Sequence, residues 1–197
     1  MNIPVINILH LQEREDRVQN YLDQMNGQMA PFRVWLGFTD VTPWKAISRG
    51  HKQIVSYAKD QGHEFCIIAE DDINFTSKKS WATYVKKRPK DYDMYFGGIS
   101  GGEVNEKTGL IKDVFSGMFL YTIHQRFYDC FLAADEEKNI DRWLSGTGLD
   151  KVEKMLGRKP VYKVCYPIVA TCIDGFSDNS KKIVDHETNF FFQYKKL

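Results

Sequence analysis

No CxxC pair occurs anywhere in the 197 residues. The four cysteines, Cys66, Cys130, Cys165 and Cys172, are widely spaced, and three sit in apolar runs. That argues against a structural zinc site or a disulfide framework, and for buried thiols in a reducing compartment. Nor is there an excess of charge of either sign: 27 Lys and Arg oppose 26 Asp and Glu, a formal net charge of +1. Without a global basic field, nucleic acid is not an expected partner, and an anionic ligand must be held by local charge. Long apolar runs are missing too, since none approaches the ~20 residues that span a bilayer. The apolar opening from Ile3 to Leu11 has no basic leader and no small-residue cleavage site. The expectation is a soluble, cytoplasmic protein. Internal repeats, low-complexity tracts and linkers are also lacking, so 1–197 is expected to form a single domain.

What is present alternates between two periodicities. Residues 3–9 (IPVINIL) and 32–36 (FRVWL) read as strands, rich in β-branched and aromatic residues. Between them a polar helix is expected over about 14–26, ending near Gly27. Thr42-Pro43 suits a helix start, Thr as cap and Pro in the first turn. That helix should run from 43 to about 61 and stop at Gly62, with Ile47, His51, Ile54 and Ala58 on one face. Residues 65–69 (FCIIA) form the clearest buried strand, continuously apolar as when both faces are covered. Further strands are expected at 93–96, 114–123 and 161–169, helices near 125–134 and 140–156, and a hairpin or flap over 101–112. This order predicts an α/β fold, a mostly parallel sheet with helices on both faces, whose ligands bind beyond the C-terminal strand ends.

At one such end stand three adjacent carboxylates, Glu70-Asp71-Asp72. At an effective dielectric of about 20, two like charges about 4 Å apart repel by about 4 kcal/mol. A divalent cation removes that repulsion. If the strand continued, Glu70 and Asp72 would share one face and Asp71 the other. Two hard oxygen donors on one face suit Mg²⁺ or Mn²⁺ and leave positions that a diphosphate can fill. The plainer alternative is a solvated turn.

Several short motifs, in order, resemble the family-twenty-five glycosyltransferases, which include bacterial lipooligosaccharide galactosyltransferases and collagen galactosyltransferases. Ile6-Asn7-Ile8 followed by Glu13-Arg14-Glu15-Asp16-Arg17 is similar to the family's opening. Ser48-Arg49-Gly50-His51 resembles its Ser-His segment with two residues inserted, and Ile67-Ile68-Ala69-Glu70-Asp71-Asp72 resembles its acidic signature with Ala69 for the usual Leu. Ser116-Gly117 through Tyr121, Ile140-Asp141 through Leu144, and Pro167 with Phe176-Ser177-Asp178 are similar to later elements. The resemblance implies a GT-A fold and inverting transfer of a sugar, galactose by family analogy, from a UDP-sugar to a glycan or glycolipid acceptor such as bacterial lipopolysaccharide.

The resemblance also suggests roles. Glu70 and Asp72 would hold Mn²⁺ or Mg²⁺ against the donor diphosphate, with Asp71 and Gly98 beside the donor. Asn7, Arg14 and Arg17 would contact the nucleoside; a solvated helix face is the alternative for the arginines. His51 would reach the donor or metal, although a histidine on an apolar helix face is more often a core residue. Asp141 would be the general base for the acceptor hydroxyl, although acidic residues are ordinary at a helix start. Gly97 and Gly117 would allow close approach of the donor sugar or mark turns. Asp178 and His186 are weaker candidates for a metal ligand or acceptor contact. By its own composition, aromatics with two lysines, the tail 190–197 (FFFQYKKL) could make peripheral contact with a membrane surface, although such a short tail more often packs onto its own domain. Two other functions compete: a non-catalytic nucleotide-sugar-binding module, and a metal-dependent phosphatase or nuclease using the same carboxylates.

Overall fold

A computed structural model describes residues 4–112, 114–177 and 182–184 of the chain. Its centre is a six-stranded sheet built from β1 (Ile6–His10), β2 (Phe32–Leu36), β3 (Phe65–Glu70), β5 (Met94–Phe96), β6 (Leu120–His124) and β7 (Tyr162–Val164). The order across the sheet is β2-β1-β3-β6-β5-β7. β1 runs parallel to β2 and β3, β5 runs parallel to β7, and β6 is antiparallel to both of its neighbours. The C-terminal ends of β1, β3 and β5 therefore share one edge, and β6 starts there.

Period-two alternation divides the sheet's side chains between two cores. Ile6, Ile8, Ile67, Ala69, Tyr95 and Leu120 pack with Tyr21 and Met25 of α1 (Val18–Gln28) and with Trp81 and Tyr84 of α3 (Ser80–Lys87). Cys66, Ile68, Phe96, Tyr121 and Ile123 face the other way. They pack with Ile54, Val55 and Ala58 of α2 (Pro43–Asp60), with Phe131 of α4 (Tyr128–Leu132) and with Val152 of α6 (Leu149–Leu156). The continuous apolar run of β3 is thus buried on both faces. The face of α2 read from the sequence is the buried one, with His51 at 0%, Ile54 at 1% and Ala58 at 1% exposure.

Several boundaries differ from the sequence reading. The first helical turn, Glu15–Arg17, is 3₁₀, and α1 runs one residue past Gly27 to a left-handed cap at Met29. Thr42 precedes α2 without a side-chain cap; instead Asp40 Oδ1 accepts from Thr42 N at 2.8 Å. Of 114–123 only the second half is strand. Gly117 takes φ +84°, and a Cβ there would lie 2.5 Å from Ser100 Oγ, so the ladder breaks at this glycine. The expected helix over 140–156 is split into α5 (Ile140–Arg142), a π turn (Trp143–Thr147) and α6. Gly148 closes the π turn, and the Trp143 ring fills the space a Cβ would take, 2.2 Å away. The strand expected over 161–169 stops at Val164; after Tyr166-Pro167 the chain forms β8 (Ala170–Cys172), paired with β4 (Ile73–Phe75). Segment 101–112 is a hairpin, with Val104 bridged to Ile111, clipped to β7 by Val164 N donating to Gly109 O at 2.8 Å.

At the opposite end of the sheet Asp93, fully buried, accepts from Arg126 Nε at 2.8 Å, from Arg158 at 2.7 Å and from Val161 N at 2.7 Å. Burial alone would raise its pKa, but these donors hold the carboxyl below its usual value. This cluster ties β5, β6 and β7 together and stands apart from the acidic triplet.

Candidate functional site

β3 ends at Glu70, and Asp71 and Asp72 form a turn before β4. The three carboxylates therefore separate into different surroundings. Asp71, 3% exposed, is consumed by the fold. Its Oδ2 meets His10 Nδ1 at 2.8 Å and accepts from Leu11 N at 3.3 Å, and its Oδ1 accepts from Arg17 Nη1 at 2.7 Å. Asn20 Nδ2 donates to the carbonyls of Asp71 and Ile73 at 3.1 and 3.0 Å. Asp71 thus pins the end of β1 and the start of α1 to the acidic turn.

Asp72 lacks such support. Its Oδ2 lies 3.2 Å from Arg17 Nη1, while its Oδ1 is buried with no hydrogen-bond partner among the described residues. Burial pushes its carboxyl up to about 7, the Glu70 charge adds to the effect, and Arg17 offsets only part of it. Glu70, its side chain 30% exposed, meets His51 Nε2 through Oε1 at 3.3 Å. An orphaned buried oxygen next to a second carboxylate fits a hard divalent cation. Among the described residues no three or more His, Cys, Asp or Glu side chains gather into a metal cage. A cation at Glu70 and Asp72 would therefore keep open positions for a ligand, as Mg²⁺ commonly does.

Of the other expected residues, Arg17 and His51 meet this acidic segment, whereas Arg14, Asn7 and Gly98 are held by other partners. Arg17, its side chain 15% exposed, is turned onto Asp71 and Asp72. Arg14 forks onto Asp16, Nε to Oδ1 at 2.9 Å and Nη2 to Oδ2 at 2.7 Å. Asn7 is the second residue of β1, remote from the strand's C-terminal end. Its Nδ2 donates to Ile67 O at 2.9 Å and its Oδ1 accepts from Trp35 Nε1 at 2.9 Å, so its amide braces the sheet. Gly98 is needed by the fold: a Cβ there would lie 2.2 Å from Ala170 O and 2.3 Å from Ile168 Cγ2. The backbone that approaches it is that of β8. His51 is fully buried and meets Tyr121 Oη through Nδ1 as well as Glu70 through Nε2.

Asp141 stands at the start of α5, with Oδ2 accepting from Gly117 N at 3.0 Å and Oδ1 from Arg142 N at 2.7 Å. Burial raises its pKa, the two amides pull it down, and the Glu70 charge raises it further. Ser145 in the π turn donates to Asp141 O at 2.9 Å and accepts from Phe115 N at 3.1 Å, which ties this carboxylate's backbone to the segment before β6. Asp178, His186 and the tail 190–197 lie outside the described residues.

His10, Asn20 and Tyr121 were not singled out by sequence reasoning as site residues. Each acts through a contact 51 or more positions away along the chain, and no local pattern announces that. No helix among the described residues is long and apolar enough to cross a membrane.

No protein-family model matches the sequence, and a search of curated proteins finds no match. Solved structures do resemble the fold. A glycosyltransferase involved in the glycosylation of the major capsid of PBCV-1 superposes with a TM-score of 0.52 at 8% identity, over 97% of this chain and 100% of that one. A mutant Drosophila beta-1,4-galactosyltransferase 7 in complex with manganese, UDP-Gal and xylobiose gives a TM-score of 0.55 at 10% identity, over 95% of this chain and 79% of that one. At such identities the likeness establishes the fold alone: an α/β fold of the GT-A glycosyltransferase type.

Proposed function

We propose that the chain is a single-domain, metal-dependent glycosyltransferase that moves a sugar from a UDP-sugar donor to a glycan or glycolipid acceptor. On the motif resemblance to family twenty-five, the sugar is galactose, the transfer inverts, and bacterial lipopolysaccharide is the acceptor type. A cytoplasmic enzyme working at the inner membrane face suits such an acceptor. The observation that carries the reading is the buried, unpartnered Oδ1 of Asp72 beside Glu70, at the C-terminal sheet edge of a GT-A-type fold. In open α/β sheets that edge is where ligands bind.

Glu70 and Asp72 would hold Mn²⁺ or Mg²⁺, and the bound ion supplies neutralisation of the charge that develops on the leaving diphosphate. Arg17, paired with Asp71 and Asp72, offsets part of the repulsion that Glu70 adds at Asp72 in the free protein. Asp141 takes the acceptor hydroxyl proton at a carboxylate oxygen. Its raised pKa strengthens it as a base, and the Gly117 and Arg142 amides fix its orientation. Asp71 binds no donor in this reading; it holds the turn on which Glu70 and Asp72 stand.

Thermal unfolding against a panel of nucleotide-sugars, with and without Mn²⁺, tests the reading. A donor at about a hundred times its Kd stabilises the fold by about 2.7 kcal/mol. The expected result is a Mn²⁺-dependent rise with one UDP-sugar, lost in Asp72→Ala, together with sugar transfer. Donor binding without turnover would make the chain a binding module. A shift independent of Mn²⁺ and of Asp72 would overturn the metal site.

A further inference from the structure

We infer that Tyr121 is a positioning residue for Glu70, acting through His51 to fix the direction of the His51–Glu70 hydrogen bond that orients this carboxylate. The inference rests on the reading that Glu70 helps to hold the divalent cation. Tyr121 is fully buried on β6, opposite Ile68 of β3 and Phe96 of β5. Its ring packs against Phe96 and Phe131 at centroid distances of 6.1 and 6.2 Å. Among the described residues its hydroxyl has one hydrogen-bond partner, Nδ1 of His51. His51 is also fully buried, and its other nitrogen points at Glu70 Oε1, 3.3 Å away.

The proton positions follow from what each group can give. A phenol is both donor and acceptor, whereas an ionised carboxylate only accepts. If Nδ1 carried the imidazole proton, the phenol hydrogen would face no acceptor in an apolar core. The Nε2 lone pair would also face the Glu70 carboxylate. A buried donor left unpaired loses its hydrogen bond to water and gains none in return. With the proton on Nε2, the phenol donates to Nδ1, the imidazole donates to Glu70, and no group is left over. Burial raises the Tyr121 pKa well above its ordinary value, so the phenol keeps the proton that it must donate. The imidazole is thereby set as a donor aimed at Glu70. A glutamate side chain otherwise has several rotamers to lose on binding an ion. Hydrogen-bonded support of a ligating carboxylate typically changes metal affinity by about 10–100-fold.

The test is a titration of the full-length chain with Mn²⁺ alone, free ion being read by electron paramagnetic resonance. Tyr121→Phe, His51→Gln and the double variant are compared, each checked for folding by its unfolding curve. Gln presents an amide N–H near the place of Nε2 and has no tautomer to fix. Expected are a Kd about tenfold or more weaker in Tyr121→Phe, a much smaller change in His51→Gln, and no further loss in the double variant. Wild-type affinity in Tyr121→Phe, or equal losses in both backgrounds, overturns this inference and leaves the metal reading standing. A wild-type chain that binds no Mn²⁺ overturns both. If His51→Gln does not fold, turnover of Tyr121→Phe at rising Mn²⁺ decides. Recovery at high Mn²⁺ supports positioning of the carboxylate, and a deficit unchanged by Mn²⁺ refutes it.

Discussion

Asp71 and Asp72 are neighbours in sequence, yet removing their charges should move stability in opposite directions. Asp72 is the sharper case. Its side chain is 16% exposed, one oxygen has no partner among the described residues, and burial with Glu70 alongside holds its carboxyl at about 7, against an ordinary 3.8. One pKa unit is about 1.4 kcal/mol, so the ionised fold is penalised by at most about 4 kcal/mol relative to a carboxylate in water. The sign follows from linkage. Below pH 4 the group is protonated in both the folded and unfolded chain and contributes nothing. Between about 4 and 7 the unfolded chain ionises first, so stability falls as pH rises, and the loss is complete above 7. Asp72→Asn keeps the shape and removes the charge. The variant should match wild type near pH 3 and exceed it by up to about 4 kcal/mol at pH 8, measured by metal-free urea unfolding. A variant less stable than wild type at pH 8, or a difference that is the same at both pH values, would refute the reasoning.

Four further outcomes are expected. Asp71→Ala strips buried His10 of its carboxylate and leaves Arg17 with Asp72 alone, and urea unfolding should show a loss of about 3–5 kcal/mol. Asp93→Ala should lose a similar amount at neutral pH, and the difference from wild type should shrink as acid protonates the wild-type carboxyl; donor affinity, read by calorimetry, should not change. Asp141→Asn should lower turnover by about 10²–10⁴-fold in a transfer assay while leaving the donor Kd as it was. Gly98→Ala must push Ala170 O and Ile168 aside, a loss of about 1–3 kcal/mol in thermal unfolding.

The sheet was legible because its strands announce themselves locally. Phe65 to Ala69 is apolar throughout, and 32–36 and the helix from Pro43 carry their periods and punctuation in consecutive residues. Interruptions were hidden where the cause is a distant partner. Residues 114–119 read as strand, but Gly117 turns its N–H to Asp141, which lies 24 positions on. Residues 140–156 read as one helix, but the bond from Ser145 to Phe115, across 30 positions, accompanies a π turn in its middle. A period-based reading cannot anticipate either bond, because its window is shorter than the separation.

The acidic triplet shows the same limit at the site. Alternation along a continuing strand put Glu70 and Asp72 on one side and Asp71 on the other, which separated the right residue for the wrong reason. β3 stops at Glu70, and Asp71 is set apart by what it meets: His10, Leu11 N and Arg17 all converge on it. Those donors occupy the carboxylate and remove it from ion binding. They also brace the turn in which Asp72 is left short of partners. A buried oxygen without a partner is tolerated only where the surroundings over-determine its position. The well-bonded aspartate is therefore the condition for the poorly bonded one. On the proposed metal reading, loss of Asp71 should accordingly abolish Mn²⁺ binding even under conditions where the variant stays folded, although its own oxygens are not among the proposed ligands. Wild-type Mn²⁺ affinity in a folded Asp71→Asn chain would break that link.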